Sequence, residues 1–106
     1  KGLTVGNTFI GWHHGNCKLD DLPLLFATHT KFSHQFGDAN YREIHTGDKH
    51  HYMAKELKGV RIQQMPSLSG TDRWHLDNNF VHSVRAALAL VYDRKLGKIA
   101  EFETRI

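Results

Sequence analysis

The chain has 106 residues, 40% of them hydrophobic and 24% charged, with a formal net charge of +3. That is the composition of one globular domain; it argues against a disordered polar segment and is small for a complete hydrolase. The charge is mild and no basic run stands out, so the balance alone gives little support to nucleic-acid binding. A single cysteine, Cys17, excludes an internal disulfide and fits a reducing, cytoplasmic setting. Neither a signal peptide nor an apolar run of membrane length is legible, so no membrane association is expected. Nine histidines are the unusual feature. The first residue is Lys1 rather than methionine, which reads as a fragment or a processed product.

Residues 3–12 read as extended structure. Leu3 and Val5 are apolar, Gly6-Asn7 is a turn dipeptide, and Thr8-Phe9-Ile10 resumes a β-prone run. His13-His14 follows where that strand ends, and the flanking Gly11 and Gly15 favour close approach of the backbone to another group. The plain alternative is a pair of exposed loop histidines. Asp20-Asp21-Leu22-Pro23 is a helix-start signal, and Leu22, Leu25, Phe26 and His29 repeat at helical spacing towards Phe32. One helix over residues 21–34 is therefore expected, ending before Gly37-Asp38. His29 and His34 read as surface or helix-packing residues. Cys17 has no acid–base partner in the sequence and does not read as a nucleophile.

Residues 41–51 open as a strand, turn at Gly47, and then present Asp48, His50 and His51 together. Imidazole and carboxylate are ligands that divalent transition metals accept, and a strand end is a rigid platform for them. These residues read as half of a metal site, with His13-His14 as another part. Residues 55–58 read as a polar turn, and Gly59 launches a half-buried strand over residues 60–65 that Pro66 stops. The following loop ends in Trp74-His75 and is either a connection or a substrate-facing loop. Ala86-Ala-Leu-Ala-Leu90 favours helix by propensity. Against that, the compact turn at 93–97 and the alternation of Ala100, Phe102, Thr104 and Ile106 with charged residues favour a hairpin. The expected fold is α+β, a mostly antiparallel sheet covered on one face by one main helix.

Four stretches in this order resemble the C-terminal half of a calcineurin-like metallophosphoesterase, in particular phage and bacterial members similar to phosphoesterases and DNA repair exonucleases. Phe9-Ile-Gly-Trp-His-His-Gly15 resembles the family's strand ending in His-Gly. Asp21-Leu-Pro-Leu-Leu-Phe-Ala27 resembles the helix start that follows it. Tyr41-Arg-Glu-Ile-His-Thr-Gly-Asp-Lys-His50 resembles the strand ending in Gly-His-x-His, and Pro66-Ser-Leu-Ser-Gly-Thr-Asp-Arg-Trp-His75 the loop after the next strand. The resemblance covers nearly all of residues 1–106 and implies half of a β-sandwich flanked by helices. It also implies two divalent ions (Mn, Zn, Fe or Mg) that activate water for phosphoester hydrolysis. Carried over by position, His14 and Asp48 bind one ion and His50 the other, while His13 either supports the ligands or faces substrate; Trp74 and His75 are substrate-facing candidates from the loop reading alone.

Two departures from the family pattern matter. The Asp-x-His, Gly-Asp-x-x-Asp and Gly-Asn-His motifs are absent, so a full site needs an N-terminal half outside this chain, and the chain alone is expected to be inactive. Asp48 stands where the family has the first histidine of Gly-His-x-His, with His51 or His45 as alternatives for that place. Nucleic acid, nucleotide and small phosphoester all stay open as substrate. Two rival readings come from other classes: a non-catalytic nucleic-acid-binding or interaction domain, and a small zinc nuclease of the His-Asn-His kind. For the latter, Asn78-Asn79 and His82 lie too far downstream.

Overall fold

The computed structural model describes residues 1–47, 52–66 and 86–105. Within it, β1 (Gly2–Val5) and β2 (Thr8–His13) form a hairpin across Gly6-Asn7. Only Gly6 in that two-residue loop has positive φ (56°), the pattern of a type II′ turn. After two short helices the chain returns as β3 (Tyr41–Thr46), parallel to β2. β4 (Met53–Leu57) then runs to the outside, and β5 (Val60–Gln64) comes back between β4 and β3. Lys58 and Gly59, both with positive φ (54° and 76°), make the type I′ turn that joins β4 to β5.

The resulting five-stranded sheet has the order β1-β2-β3-β5-β4, antiparallel at both edges and parallel through β2, β3 and β5. The α+β class agrees with expectation, but the centre of the sheet is parallel where a mostly antiparallel arrangement was expected. The cause is the helical segment between β2 and β3, which supplies the crossover that a parallel pair needs. Lys55 and Glu56, expected in a turn, are paired in β4 opposite Ile62 and Arg61.

The single helix expected over residues 21–34 is two helices. A 3₁₀ turn at Leu19–Asp21 leads into α1 (Leu22–Ala27), and α2 spans Ser33–Asp38. Side chains take over the backbone's partners at the break. Thr28 Oγ1 donates to the Leu24 carbonyl (2.8 Å), and His29 Nδ1 accepts the Lys31 N–H (3.0 Å). Such local bonds offer the chain an alternative to continued helix. The helical spacing still marks the buried face: Phe9 packs within 5.8–6.1 Å, ring centre to ring centre, of Phe26, Phe32 and Phe36. Ile44, Val60 and Ile62 complete this layer from β3 and β5. A Cβ on Gly11 would lie 2.7 Å from the Phe26 ring. The close approach expected at Gly11 is therefore to a core phenylalanine.

The expected hairpin at the C-terminal end is present, and its strand pairing overrides the helix propensity of the Ala-Leu run. β6 (Ala86–Asp93) pairs with β7 (Gly97–Arg105) as a separate two-stranded sheet. Asp93 Oδ1 closes the turn by accepting the N–H groups of Lys95 (2.8 Å) and Leu96 (2.9 Å). Two strands alone are marginal in water, and this pair rests on the sheet face opposite the helices. At one end the Asn7 N–H donates to the Arg94 carbonyl (2.8 Å), and a Cβ on Gly6 would come within 2.3 Å of that oxygen. Among the described residues, no helix is long and apolar enough to cross a membrane.

Candidate functional site at the carboxyl edge of the sheet

Because β2, β3 and β5 are parallel, their C-terminal ends meet at one edge, where open α/β sheets place their ligands. His13, Thr46 and Gln64 form one row across that edge on the helix side. Trp12, His45 and Gln63 form the preceding row on the hairpin side. The phenylalanine-rich layer thus gives way, at its last row, to an imidazole, a hydroxyl and a carboxamide. Thr46 is buried and, among the described residues, its hydroxyl, like that of Thr8 at the opposite end of β2, has no hydrogen-bond partner, an uncommon and costly state for a polar group.

The loop that carries His14 meets Gly47, the residue that follows β3. The Gly47 N–H donates to the His14 carbonyl (3.4 Å), and the Met65 N–H donates to that of Thr46 (2.8 Å). His14 is exposed just beyond the end of β2. His13, expected to face substrate, also shapes its own loop: its Nδ1 accepts the Gly15 N–H at 3.0 Å and lies 4.0 Å from Cys17 Sγ. Gly15 holds this loop with a φ of 99°. Asp48, His50 and His51 lie outside the described residues, as do Trp74 and His75. Among the described residues, no group of three or more His, Cys, Asp or Glu side chains is placed to hold a metal ion.

His45, one alternative to Asp48, is committed to the opposite face. It is buried beneath the β6–β7 hairpin with Nε2 3.2 Å from Glu43 Oε1 and 3.5 Å from the Tyr92 hydroxyl. Tyr92 donates to the same carboxylate oxygen (2.9 Å), and Lys98 Nζ lies 4.0 Å from it. Lys98 also donates to Gln63 Oε1 (3.0 Å) and Glu101 Oε1 (3.1 Å), while Gln63 Nε2 donates to Glu101 Oε1 (2.6 Å). A bulge makes this possible. Val91 pairs with Ala100 but Tyr92 with Lys98, so Ile99 is skipped and Lys98 turns to the sheet on the same side as Glu101.

The electrostatics follow the contacts. Burial raises the Glu43 carboxyl pKa, but hydrogen bonds from His45 and Tyr92 and the charge of Lys98 outweigh it, so the net shift is downward. Burial, then the adjacent Glu43 charge, pushes the Tyr92 hydroxyl up. For Glu101, burial also acts upward but is outweighed by the Gln63 and Lys98 hydrogen bonds.

The sequence reading did not identify this network. The available signal was Glu43-Ile44-His45, two polar side chains sharing the face opposite a core isoleucine. The chain matches no family model, no curated protein and no solved structure.

Proposed function

We propose that this chain is the part of a dinuclear-metal phosphoesterase that contributes ligands from the carboxyl edge of its sheet. The observation that carries the reading is the Gly47–His14 backbone contact, which sets Gly47, the residue before Asp48 in the sequence, against the loop bearing His14. His14 with Asp48 would hold one ion and His50 the other, an imidazole and carboxylate set that Mn²⁺ or Zn²⁺ accepts. What supports the reading is donor chemistry: imidazole and carboxylate suit such ions, His14 is exposed at this edge, and among the described residues the Thr46 hydroxyl there is unpaired. When bound, the ions neutralise the phosphate and lower the pKa of an attacking water. The chain's own share is to fix the β2 and β3 termini against each other and to offer the Thr46 hydroxyl as a hydrogen-bonding group.

The bridging carboxylate and the leaving-group acid that the resemblance implies are not among residues 1–106. Groups that act as a unit fail together when some are missing, so the chain alone should hydrolyse a generic phosphodiester poorly or not at all. The test is Zn²⁺ and Mn²⁺ affinity by calorimetry, for the chain and for the complete enzyme, with His14→Ala, Asp48→Asn and His50→Ala. Each substitution should weaken binding about tenfold or more, the scale on which metal-site substitutions act. Asparagine preserves a turn but not an anionic ligand, so unchanged metal binding in Asp48→Asn would remove Asp48 from the site. Vigorous Mn²⁺-dependent turnover by the chain alone would show the active site to be elsewhere.

A further inference from the structure

On the hairpin side, one residue back from the same edge, lies a cavity of 430 Å³. Trp12, His45 and Met65 line it from the sheet side, and Leu88, Leu90 and Tyr92 from β6. Its volume is that of a small-molecule pocket. The polar groups at its floor are already engaged, since His45 Nε2 and the Tyr92 hydroxyl both bond Glu43. What faces the space is chiefly apolar, so the cavity suits an uncharged group and not a phosphate.

Two features select a flat group over a chain-like one. Trp12 is 42% exposed and meets the His45 ring edge-on, with 6.0 Å between centres and 87° between planes. That contact holds the indole, which lines the cavity and is available to pack against a ring. Met65 adds a polarizable thioether, which packs well against aromatic rings. The position selects the ligand further. Trp12 directly precedes His13-His14, His45 precedes Thr46-Gly47, and Met65 follows β5, so a ring held here has its substituent at the candidate metal edge.

We propose that this cavity binds the planar ring of an aromatic phosphoester, a heterocycle of nucleobase size, with the phosphate directed towards His14. The assignment of the phosphate end rests on the phosphoesterase reading; the ring site does not. The two methionines allow both to be tested, because Met65 lines the cavity and Met53 does not. The metal-free chain carrying ¹³C-methyl methionine is titrated with adenosine and followed by NMR. The Met65 signal should move saturably while that of Met53 stays, and Trp12→Ala should weaken binding about tenfold, within the range for losing one base-stacking aromatic. Ribose 5-phosphate should move neither signal. No saturable Met65 shift, equal shifts of both methionines, or tighter binding of hexanol than of adenosine would overturn the ring site.

Zn²⁺ then separates the two ideas. With the ion present in the complete enzyme, where the ligand set is whole, adenosine monophosphate should bind more tightly than adenosine. If adenosine binds and the phosphate adds nothing, the phosphoester assignment falls and the ring site stands. If the monophosphate binds with Zn²⁺ no better than ribose 5-phosphate, the ring site falls and the phosphate reading stands.

Discussion

Removing the Glu43 carboxylate is the sharpest test of how the hairpin is held. The side chain of Glu43 is 5% exposed, and it accepts from His45 (3.2 Å) and Tyr92 (2.9 Å), with Lys98 at 4.0 Å. Glu43→Ala takes away the shared acceptor of two buried groups, leaving them only their 3.5 Å contact with each other, and a nearly buried ammonium with less compensation. Breaking a buried charged pair costs about 3–5 kcal/mol. Lys98 keeps Gln63 and Glu101, so the lower end, about 3 kcal/mol, is expected here. Against a total of about 5–15 kcal/mol for a small domain, that is a large fraction.

Urea unfolding followed by far-UV circular dichroism reads this as a midpoint lowered by about 1–3 M. Glu43→Gln keeps the shape and an acceptor for Tyr92 but loses the charge, and should cost about half as much. In a double-mutant cycle, Glu43→Gln with Tyr92→Phe should show coupling of about 0.5–3 kcal/mol, as expected of residues in one network. A Glu43→Ala variant within about 0.5 kcal/mol of the parent, the range of ordinary surface substitutions, would refute the reasoning.

Further outcomes follow from the same contacts. The Glu43 and Glu101 carboxyls titrate below the ordinary 4.5 in the folded chain, so the unfolded chain takes up protons first as pH falls. The stability they contribute is fully present above that value and declines as pH drops through their folded pKa values; Glu43→Gln should flatten this decline in a pH series of urea midpoints. Gly6→Ala puts a side chain at positive φ and 2.3 Å from the Arg94 carbonyl, so it should destabilise by more than about 1 kcal/mol and raise amide exchange in β6 and β7. Thr46→Val removes a hydroxyl that has no partner among the described residues, so thermal stability should be unchanged or higher by up to about 1 kcal/mol. A drop in stability instead would mean that the hydroxyl is bonded in solution.

Much of the strand pattern is legible because its signals are local. Gly6-Asn7 turns the chain at a two-residue loop, and the alternation at Val60 and Ile62 places both in the core, whereas the polar run over residues 55–58 hid β4 and the two-residue turn at Lys58-Gly59. Strand direction is not local. Whether β3 runs with or against β2 depends on what the intervening chain does, and the helices there make the pair parallel. The helix break at residues 28–32 was hidden for a related reason. Phe26, Phe32 and Phe36 keep an apolar face directed at Phe9, so the periodicity continues across a gap that Thr28 and His29 open with their own hydrogen bonds.

The candidate site divides the same way. The strand ends at His13 and Thr46 are readable from composition, and the parallel register brings them to one edge. Glu43 gave only a faint signal, since two of its partners, Tyr92 and Lys98, and the bulge that turns Lys98 inward lie about fifty residues downstream and meet it only after the hairpin folds back.

The two faces of the sheet explain why chemistry should gather where it does. On the helix side, Phe9, Ile44 and Ile62 are fully buried and need nothing from solvent or ligand. Under the hairpin, Glu43, His45, Tyr92 and Lys98 satisfy one another, and a closed network of this kind stiffens a fold without leaving hydrogen-bonding capacity for a substrate. Both faces change character at the last row before the carboxyl edge. There a buried hydroxyl is unmatched at Thr46, an indole is left half in solvent at Trp12, and His14 stands exposed on the loop that touches Gly47. An unpaired buried hydroxyl opposes folding; Thr8 carries another at the far end of β2, so it is the half-exposed indole and the exposed imidazole beside Thr46 that set this edge apart. The rigid, self-satisfied layers on either side would then hold that edge still enough for ligands from separate strands to converge.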